Sequence, residues 1–301
     1  MLSGTFLPCP NCLNALDLTG PIYVLKDDPL NDVYLCNRCG LIYKPVFNLN
    51  PKTSSATHYH VASWSGALAA HRERLTEIAA AAIAGATLRP DDLVLDVGAG
   101  IGLLHEVLTA SLPALGRYVA VEPVPDVAVQ LKTTHPAAMV LNGEFDDVTL
   151  PRASFKAVFV CGVDYLFRDL RGAFAKIGDL LTPDGIVLIQ RNVFVDQQGY
   201  VGQEITDLDV LFSSNGIMRN WFHSEQYVEF VAQFFTIRRA WKTVQVFERP
   251  TGGQFTSDTL NLVCDKRTMG AGPSLRRPTS YADRNMQHVR RLSGAHVASR
   301  G

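Results

Sequence analysis

Leu93-Val-Leu-Asp-Val-Gly-Ala-Gly-Ile-Gly102, followed by Leu103 and Leu104, decides how this chain folds. The apolar run from 93 to 97 reads as a short buried strand, and Gly98, Gly100 and Gly102 read as a tight turn out of it. Leu103, Leu104, Val107 and Leu108 then have the spacing of one buried helical face. Strand, glycine turn and helix in that order make the first half of a βαβ unit, in which a nucleotide-like ligand meets the carboxyl end of the strand. The glycines, with Ala99 between them, let a ligand approach bare backbone, and the helix start offers free N–H groups to an anionic group.

The spacing D-x-G-x-G-x-G departs from the dinucleotide pattern G-x-G-x-x-G, because Leu103 stands where its third glycine would be. Asp96 would repel a pyrophosphate but attract a cationic ligand. Working outward, residues 118–122 read as a second strand ending in Glu122, about twenty residues beyond the turn. An acid there can accept from both hydroxyls of a ribose. Residues 139–141 read as a third strand leading into Asn142-Gly-Glu-Phe-Asp146, and residues 155–161 as a fourth, apolar enough to be covered on both faces. A helix over 170–181, a turn at Thr182-Pro-Asp-Gly185 and a fifth strand over 186–190 follow. Tandem strands near 236–247 and 259–264 fit a closing antiparallel hairpin. The fold class is therefore α/β, with a doubly wound, mostly parallel sheet.

These elements together resemble the class I S-adenosylmethionine-dependent methyltransferases from about Leu93 to Cys264. The resemblance implies a Rossmann-like sheet of seven strands and S-adenosylmethionine as cofactor. It implies that Asp96, Gly98, Ala99, Gly100, Gly102 and Glu122 bind that cofactor, with Glu144 and Phe145 beside the adenine. Asp146 and Asp147 compete with Glu144 for that place, and a solvated acidic turn is the plainer alternative. Cys161, at the carboxyl end of the fourth strand, counts among the cofactor-facing residues, although its apolar run reads more readily as core. The chain departs from the family at Lys156, where an Asp is usual, and lacks the Leu-Glu-His of many relatives after the fourth strand.

Upstream, Cys9-Pro-Asn-Cys12 and Cys36-Asn-Arg-Cys39 are two C-x-x-C knuckles. Two such turns complete a closed tetrahedral thiolate site, a structural zinc ribbon over residues 1–50; two disulfides or unrelated thiols are the alternative. Short strands are expected at 22–25 and 33–35, with Gly40 fitting the second turn. Lysines and arginines in the first 60 residues only balance the aspartates, so the ribbon has no electrostatic footprint for nucleic acid. A linker at 51–64 carries His58, His60 and Trp64, and Ser65 reads as the cap of a helix running to about Ala84, ended by Gly85. The methyltransferase-like domain would span 65–266, with a substrate lid around 193–226 that includes Asn220, Trp221 and His223, and a helix from Ser224 to about Phe234. His58, His60, Tyr165 and His223 are the candidates for a general base.

Formal net charge is −1, yet from Lys266 onward eight basic residues face one acid, leaving 20 basic and 28 acidic residues before it. Residues 267–301 read as a basic, mostly disordered tail with a short helix around 283–292. No apolar run is long enough for a membrane helix and no secretory signal is visible, so the expected location is cytoplasmic, with reduced cysteines. A zinc ribbon joined to this core also resembles methyltransferases of sugar and natural-product pathways, which implies a small-molecule methyl acceptor. The alternatives are an RNA methyltransferase using ribbon and tail, and a binding protein that kept the fold without catalysis.

Overall fold

In the structure, a computed structural model, the described residues are 5–14, 20–24, 32–47, 68–86, 88–113, 115–200, 203–213, 218–249, 251–267 and 280–298. The amino-terminal module consists of four two-residue strands, β1 (Thr5–Phe6), β2 (Tyr34–Leu35), β3 (Ile42–Tyr43) and β4 (Val46–Phe47). β1 pairs with β4 and β2 with β3, both antiparallel. The strand expected at 22–25 reduces to one bridge between Tyr23 and Val33, and Leu25 lies outside the described residues. Ser65, His58, His60 and Trp64 also lie outside them.

Helix α1 (Leu68–Ala86) precedes β5 (Val94–Val97), α2 (Leu103–Ser111), β6 (Tyr118–Glu122), α3 (Pro125–Thr134), β7 (Met139–Asn142) and β8 (Phe155–Cys161). α4 (Leu170–Leu180) and β9 (Leu181–Arg191) complete the alternating part. Gly85 sits within α1 instead of ending it: the Arg238 guanidinium donates to its carbonyl at 2.8 Å, so this helix end is satisfied without a left-handed glycine cap. The expected turn at 182–185 is also different. It is bulged out inside β9, whose pairing with β8 jumps from Phe155↔Leu181 to Ala157↔Ile186.

After β9 come β10 (Gly199–Tyr200), β11 (Gln203–Glu204), α5 (Leu208–Ser213), β12 (Asn220–Trp221), α6 (Ser224–Val231), β13 (Phe235–Glu248), β14 (Gln254–Lys266) and α7 (Ala282–Ala298). The seven-stranded sheet has the order β13-β14-β9-β8-β5-β6-β7. Its five inner and edge strands from β9 to β7 are parallel, β14 runs antiparallel to β9, and β13 antiparallel to β14. The alternation of short strands and helices forces this: parallel neighbours need a crossover, and the crossovers cover both faces.

One face is packed by α1 and α2, with Ile78, Ala82, Leu104 and Leu108 against Val94, Phe159 and Leu188. The other is packed by α4, α6 and the cysteine module, with Phe174, Ile177, Phe230, Cys9 and Cys36 against Leu95, Val158 and Ile189. A third cluster joins Val33 and Ile42 of the amino-terminal module to Val195, Phe212 and Trp221 of the insertion and to Val289 and Leu292 of α7. The described part of the expected lid is thus a packed layer: β12 adds to the small sheet beside β3, and Asn220 and Trp221 are buried in it. The tail expectation changes in the same way. Residues 282–298 are helical, and α7 has partners, because its Val289 and Leu292 stripe completes that third cluster.

Candidate functional site

The four cysteines of the amino-terminal knuckles converge. Their Sγ atoms lie within 4.8 Å of one another, at 3.6 Å for Cys9–Cys39 and 3.5 Å for Cys12–Cys36. A disulfide would need about 2.05 Å. Tetrahedral zinc with Zn–S of about 2.3 Å needs sulfurs roughly 3.8 Å apart, which this cluster meets with little adjustment. The donor set fits zinc, and these four residues would hold it in a closed, structural site. The second knuckle is clamped from outside: Gln226 Nε2 and Tyr281 N–H donate to the Cys39 carbonyl, and Asn285 Nδ2 donates to the Gly40 carbonyl. Gly40 has a φ of 77°, and a Cβ there would strike the backbone of Ala282, so this glycine admits α7 as well as making the turn.

At the carboxyl end of β5 the three glycines have positive φ, but they serve different ends. A Cβ on Gly98 would meet Val163 Cγ1 at 2.5 Å, and one on Gly102 would meet Leu131 and His135 at the same distance. Those two glycines permit packing. Of the three, only Gly100 has no described residue within 4 Å of where its Cβ would stand, so it is the point where a ligand can lie on backbone.

Asp96 is 3 % exposed and accepts from the Tyr118 hydroxyl at 2.5 Å. Burial pushes its carboxyl up to about 7, against the opposing pull of that hydrogen bond. Glu122 is equally buried and accepts from Gly100 N–H at 2.8 Å and from Val124 N–H at 2.9 Å. It thereby ties the glycine turn to the start of α3. Burial raises its pKa and these two backbone donors lower it. A carboxylate has about four acceptor positions, so Glu122 keeps two for a diol.

The turn after β7 is held by Lys176, whose Nζ donates to the carbonyls of Phe145 at 2.5 Å and Val148 at 2.6 Å. Phe145 is buried, stacked on Phe167 with a centroid distance of 5.7 Å. The resemblance sets Phe145 beside the adenine; its ring packs beneath the turn. Glu144 is exposed as a residue, and its pKa is raised by partial burial of the carboxyl and by Asp146 while Arg168 and Arg219 lower it. Arg168 pairs with Asp146 and Asp147, which leaves Glu144 as the acid of this turn outside that pair of contacts.

β8 ends at Cys161; Gly162 follows it and leads to a 3-10 turn at Asp164–Leu166. Cys161 is half-buried, and burial holds its thiol well above the ordinary range. The Tyr165 hydroxyl and the Asn192 amide oxygen both lie 3.8 Å from where a Gly162 Cβ would stand, so both sit at the carboxyl ends of β8 and β9. Behind them, Arg191 and Asp164 form a fully buried ion pair. Arg191 also donates to the Asn220 carbonyl at 2.9 Å and to its side-chain oxygen at 3.0 Å, and packs 4.7 Å from the Tyr227 ring centroid. Of the four expected base candidates, Tyr165 is at this edge. His223 is engaged elsewhere, because its Nδ1 accepts from Glu225 N–H at the start of α6 and its ring packs 5.2 Å from Tyr281. His58 and His60 lie outside the described residues.

Sequence reasoning missed Arg74 and His71 of α1. Arg74 is 2 % exposed although the sequence places it among Leu75, Ile78 and Ala82 on the helix's apolar stripe. A charge on the stripe is the signal that could have found it.

Residues 95–189 match the family model of a methyltransferase domain, and no curated protein matches the chain. Among solved structures, a putative methyltransferase from Bacillus halodurans is similar at a TM-score of 0.50 and 14 % identity, over 63 % of this chain and 99 % of that one. A chain of the Haloferax volcanii complex between the Trm112 methyltransferase activator and a putative methyltransferase aligns at 0.52 and 16 %, over 68 % and 97 %. The MccD protein aligns at 0.52 and 10 %, over 63 % and 96 %. The seven-stranded sheet and its helices therefore have the fold of methyltransferase domains.

Proposed function

We propose that this chain transfers a methyl group from S-adenosylmethionine to a small-molecule acceptor. The observation that carries the reading is the turn itself: bare backbone opens to space at Gly100, Glu122 holds that backbone from below, and residues 98–104 offer neither the dinucleotide glycine spacing nor a basic side chain to a pyrophosphate. When bound, S-adenosylmethionine supplies an activated methyl group together with its own leaving group. Glu122 would accept from the two ribose hydroxyls with its remaining lone pairs, and Glu144 would accept from the adenine amino group. Tyr165 and Asn192, at the ends of β8 and β9, would orient the acceptor atom in line with the methyl carbon. An acceptor hydroxyl or acidic carbon must lose a proton as the new bond forms, and Tyr165 is the described candidate base nearest that position.

The zinc knuckles are engaged by α6 and α7 through hydrogen bonds to Cys39 and Gly40, which favours a structural clamp over an RNA-reading surface. Among the described residues no helix is long and apolar enough to cross a membrane.

Calorimetric titration with S-adenosylmethionine and S-adenosylhomocysteine tests the reading. Saturable one-to-one binding by the wild type and its loss in Gly100→Arg are expected. A wild-type protein that binds neither compound, or that binds a nicotinamide dinucleotide instead, would overturn it.

A further inference from the structure

The apolar face under α1 turns polar at one end of the sheet. Along β9 the side chains facing α1 run Ile186, Leu188, Gln190, and on β14 they run Val263, Asn261, Thr259, Ser257; these alternating positions share one face. Gln190, Asn261, Thr259 and Ser257 are all buried. Burying four polar side chains in a row costs stability unless something binds them. They are partly bound to one another, since Gln190 Nε2 donates to Asn261 Oδ1 at 2.9 Å and to the Arg74 carbonyl at 3.2 Å. The Ser257 hydroxyl has no partner among the described residues.

Arg74 projects into this row. Its Nη1 reaches Thr259 Oγ1 and Gln245 Oε1, each at 3.3 Å, and its Nη2 lies 2.7 Å from His71 Nδ1. Its Nε has no acceptor among the described residues. No carboxylate among them pairs with the guanidinium either, although the other fully buried charges of the site, Asp164 and Arg191, are paired. Burial works against its charge and pulls its pKa below the ordinary guanidinium range. His71 is held neutral by burial and by Arg74, so it adds no second cation. A buried guanidinium with only neutral acceptors is the arrangement that an anion completes.

We propose that Arg74, with the hydroxyls of Thr259 and Ser257, binds an oxyanion group, a carboxylate or phosphate, carried by the methyl acceptor. The site lies on the acceptor's side. Arg74 is bonded to β13 and β14, and β14 is three strands from β5, roughly 14 Å across the sheet from the strand that carries the glycine turn. The Arg74 carbonyl accepts from Gln190, the register partner of Cys161, which sets this turn of α1 beside the carboxyl end of β8, where an acceptor would meet the methyl group. The acceptor class is thus an anionic small molecule, its charge fixed in a bidentate grip at Arg74 and its reacting atom toward Tyr165. The inference rests on the methyl-transfer reading only for what the anion belongs to.

The test uses the full-length protein saturated with S-adenosylhomocysteine and titrated with benzoate, phenyl phosphate and the neutral analogue benzamide. The Arg Nε–H resonances in nitrogen-15 spectra are followed alongside calorimetry. One of the two anions is expected to bind at least about tenfold more tightly than benzamide, to shift one buried Arg Nε–H resonance, and to lose that advantage in Arg74→Gln and in Thr259→Val. Which anion is preferred distinguishes a carboxylate from a phosphate. Thr259→Val leaves the charge in place, so it serves even if Arg74→Gln fails to fold. Equal binding of the three probes would overturn the proposal, as would anion binding that both variants retain. A third result would also overturn it: Arg74→Gln weakening S-adenosylhomocysteine but not methylthioadenosine, which would assign the guanidinium to the cofactor's own carboxylate. Cofactor binding is read separately, so a protein that binds S-adenosylhomocysteine but no anion refutes this inference and leaves the function standing.

Discussion

Replacing each glycine of the β5–α2 turn by alanine separates packing from binding. All three residues are left-handed, with φ of 69° at Gly98, 55° at Gly100 and 89° at Gly102. An L side chain in that region costs about 1–2 kcal/mol, and the stiffer unfolded chain returns about 0.4–1 kcal/mol. Gly100→Ala should therefore cost about 1 kcal/mol, since its Cβ meets no described residue within 4 Å. Gly98→Ala adds a 2.5 Å contact with Val163, and relieving such overpacking costs a further ~1–3 kcal/mol. Thermal unfolding without ligand should thus rank Gly98→Ala well below Gly100→Ala. Calorimetry with S-adenosylhomocysteine should give the reverse contrast: Gly100→Ala, stably folded, loses at least about tenfold in affinity because its methyl group occupies the ligand's place. A folded Gly100→Ala protein of unchanged affinity would refute the assignment of open space at Gly100 to the cofactor.

Removing the metal, or Cys36→Ser, should release one equivalent of zinc per chain to a chromogenic chelator and lower the unfolding temperature by several degrees; a metal-free protein of unchanged stability would contradict the structural role. Asp96 has a folded-state pKa of about 7, above its unfolded value, so the stability it contributes is full below pH 4 and is lost as pH rises toward 7. His71, lowered to about 4 by burial, acts oppositely, adding stability as pH rises from 4 to 6.5. Asp96→Asn keeps an acceptor for Tyr118 and should show stability rising with pH across that window, where the wild type is flatter; parallel profiles would refute the buried-acid account. Arg191→Met leaves Asp164 buried without its partner and should cost about 3–5 kcal/mol in denaturant unfolding, with Asp164→Asn added to it recovering part of the loss. Additive single and double variants would show that the pair is not coupled.

The fold was legible in the sequence because its cues are local. The apolar run before Gly98, the spacing of Leu103 to Leu108, the acid at 122 and the return of strand patterns up to Gln190 each depend on neighbours within a few residues, and together they dictate a parallel sheet with covered faces. The four cysteines were legible for the same reason, since two-residue gaps bring thiolates together within one turn.

Tertiary packing decided which polar residues belong to the site. Nothing local tells Gly100 from Gly98 and Gly102; the difference is Val163, Leu131 and His135, brought against the turn by β8 and α3. Phe145 and Trp221 went to the core and His223 to a helix start because each met a hydrogen bond or ring neighbour that the local pattern does not specify. The basic carboxyl-terminal stretch became a packed helix because Cys39 and Gly40 accept its first hydrogen bonds. Arg74 acquired its meaning only when β13 and β14, 171 and 185 residues further along at Gln245 and Thr259, placed neutral acceptors around it instead of an acid. Spacing along the chain fixes which backbone forms strand, turn or helix. The partner that a buried charge finds, or lacks, is a property of the assembled sheet.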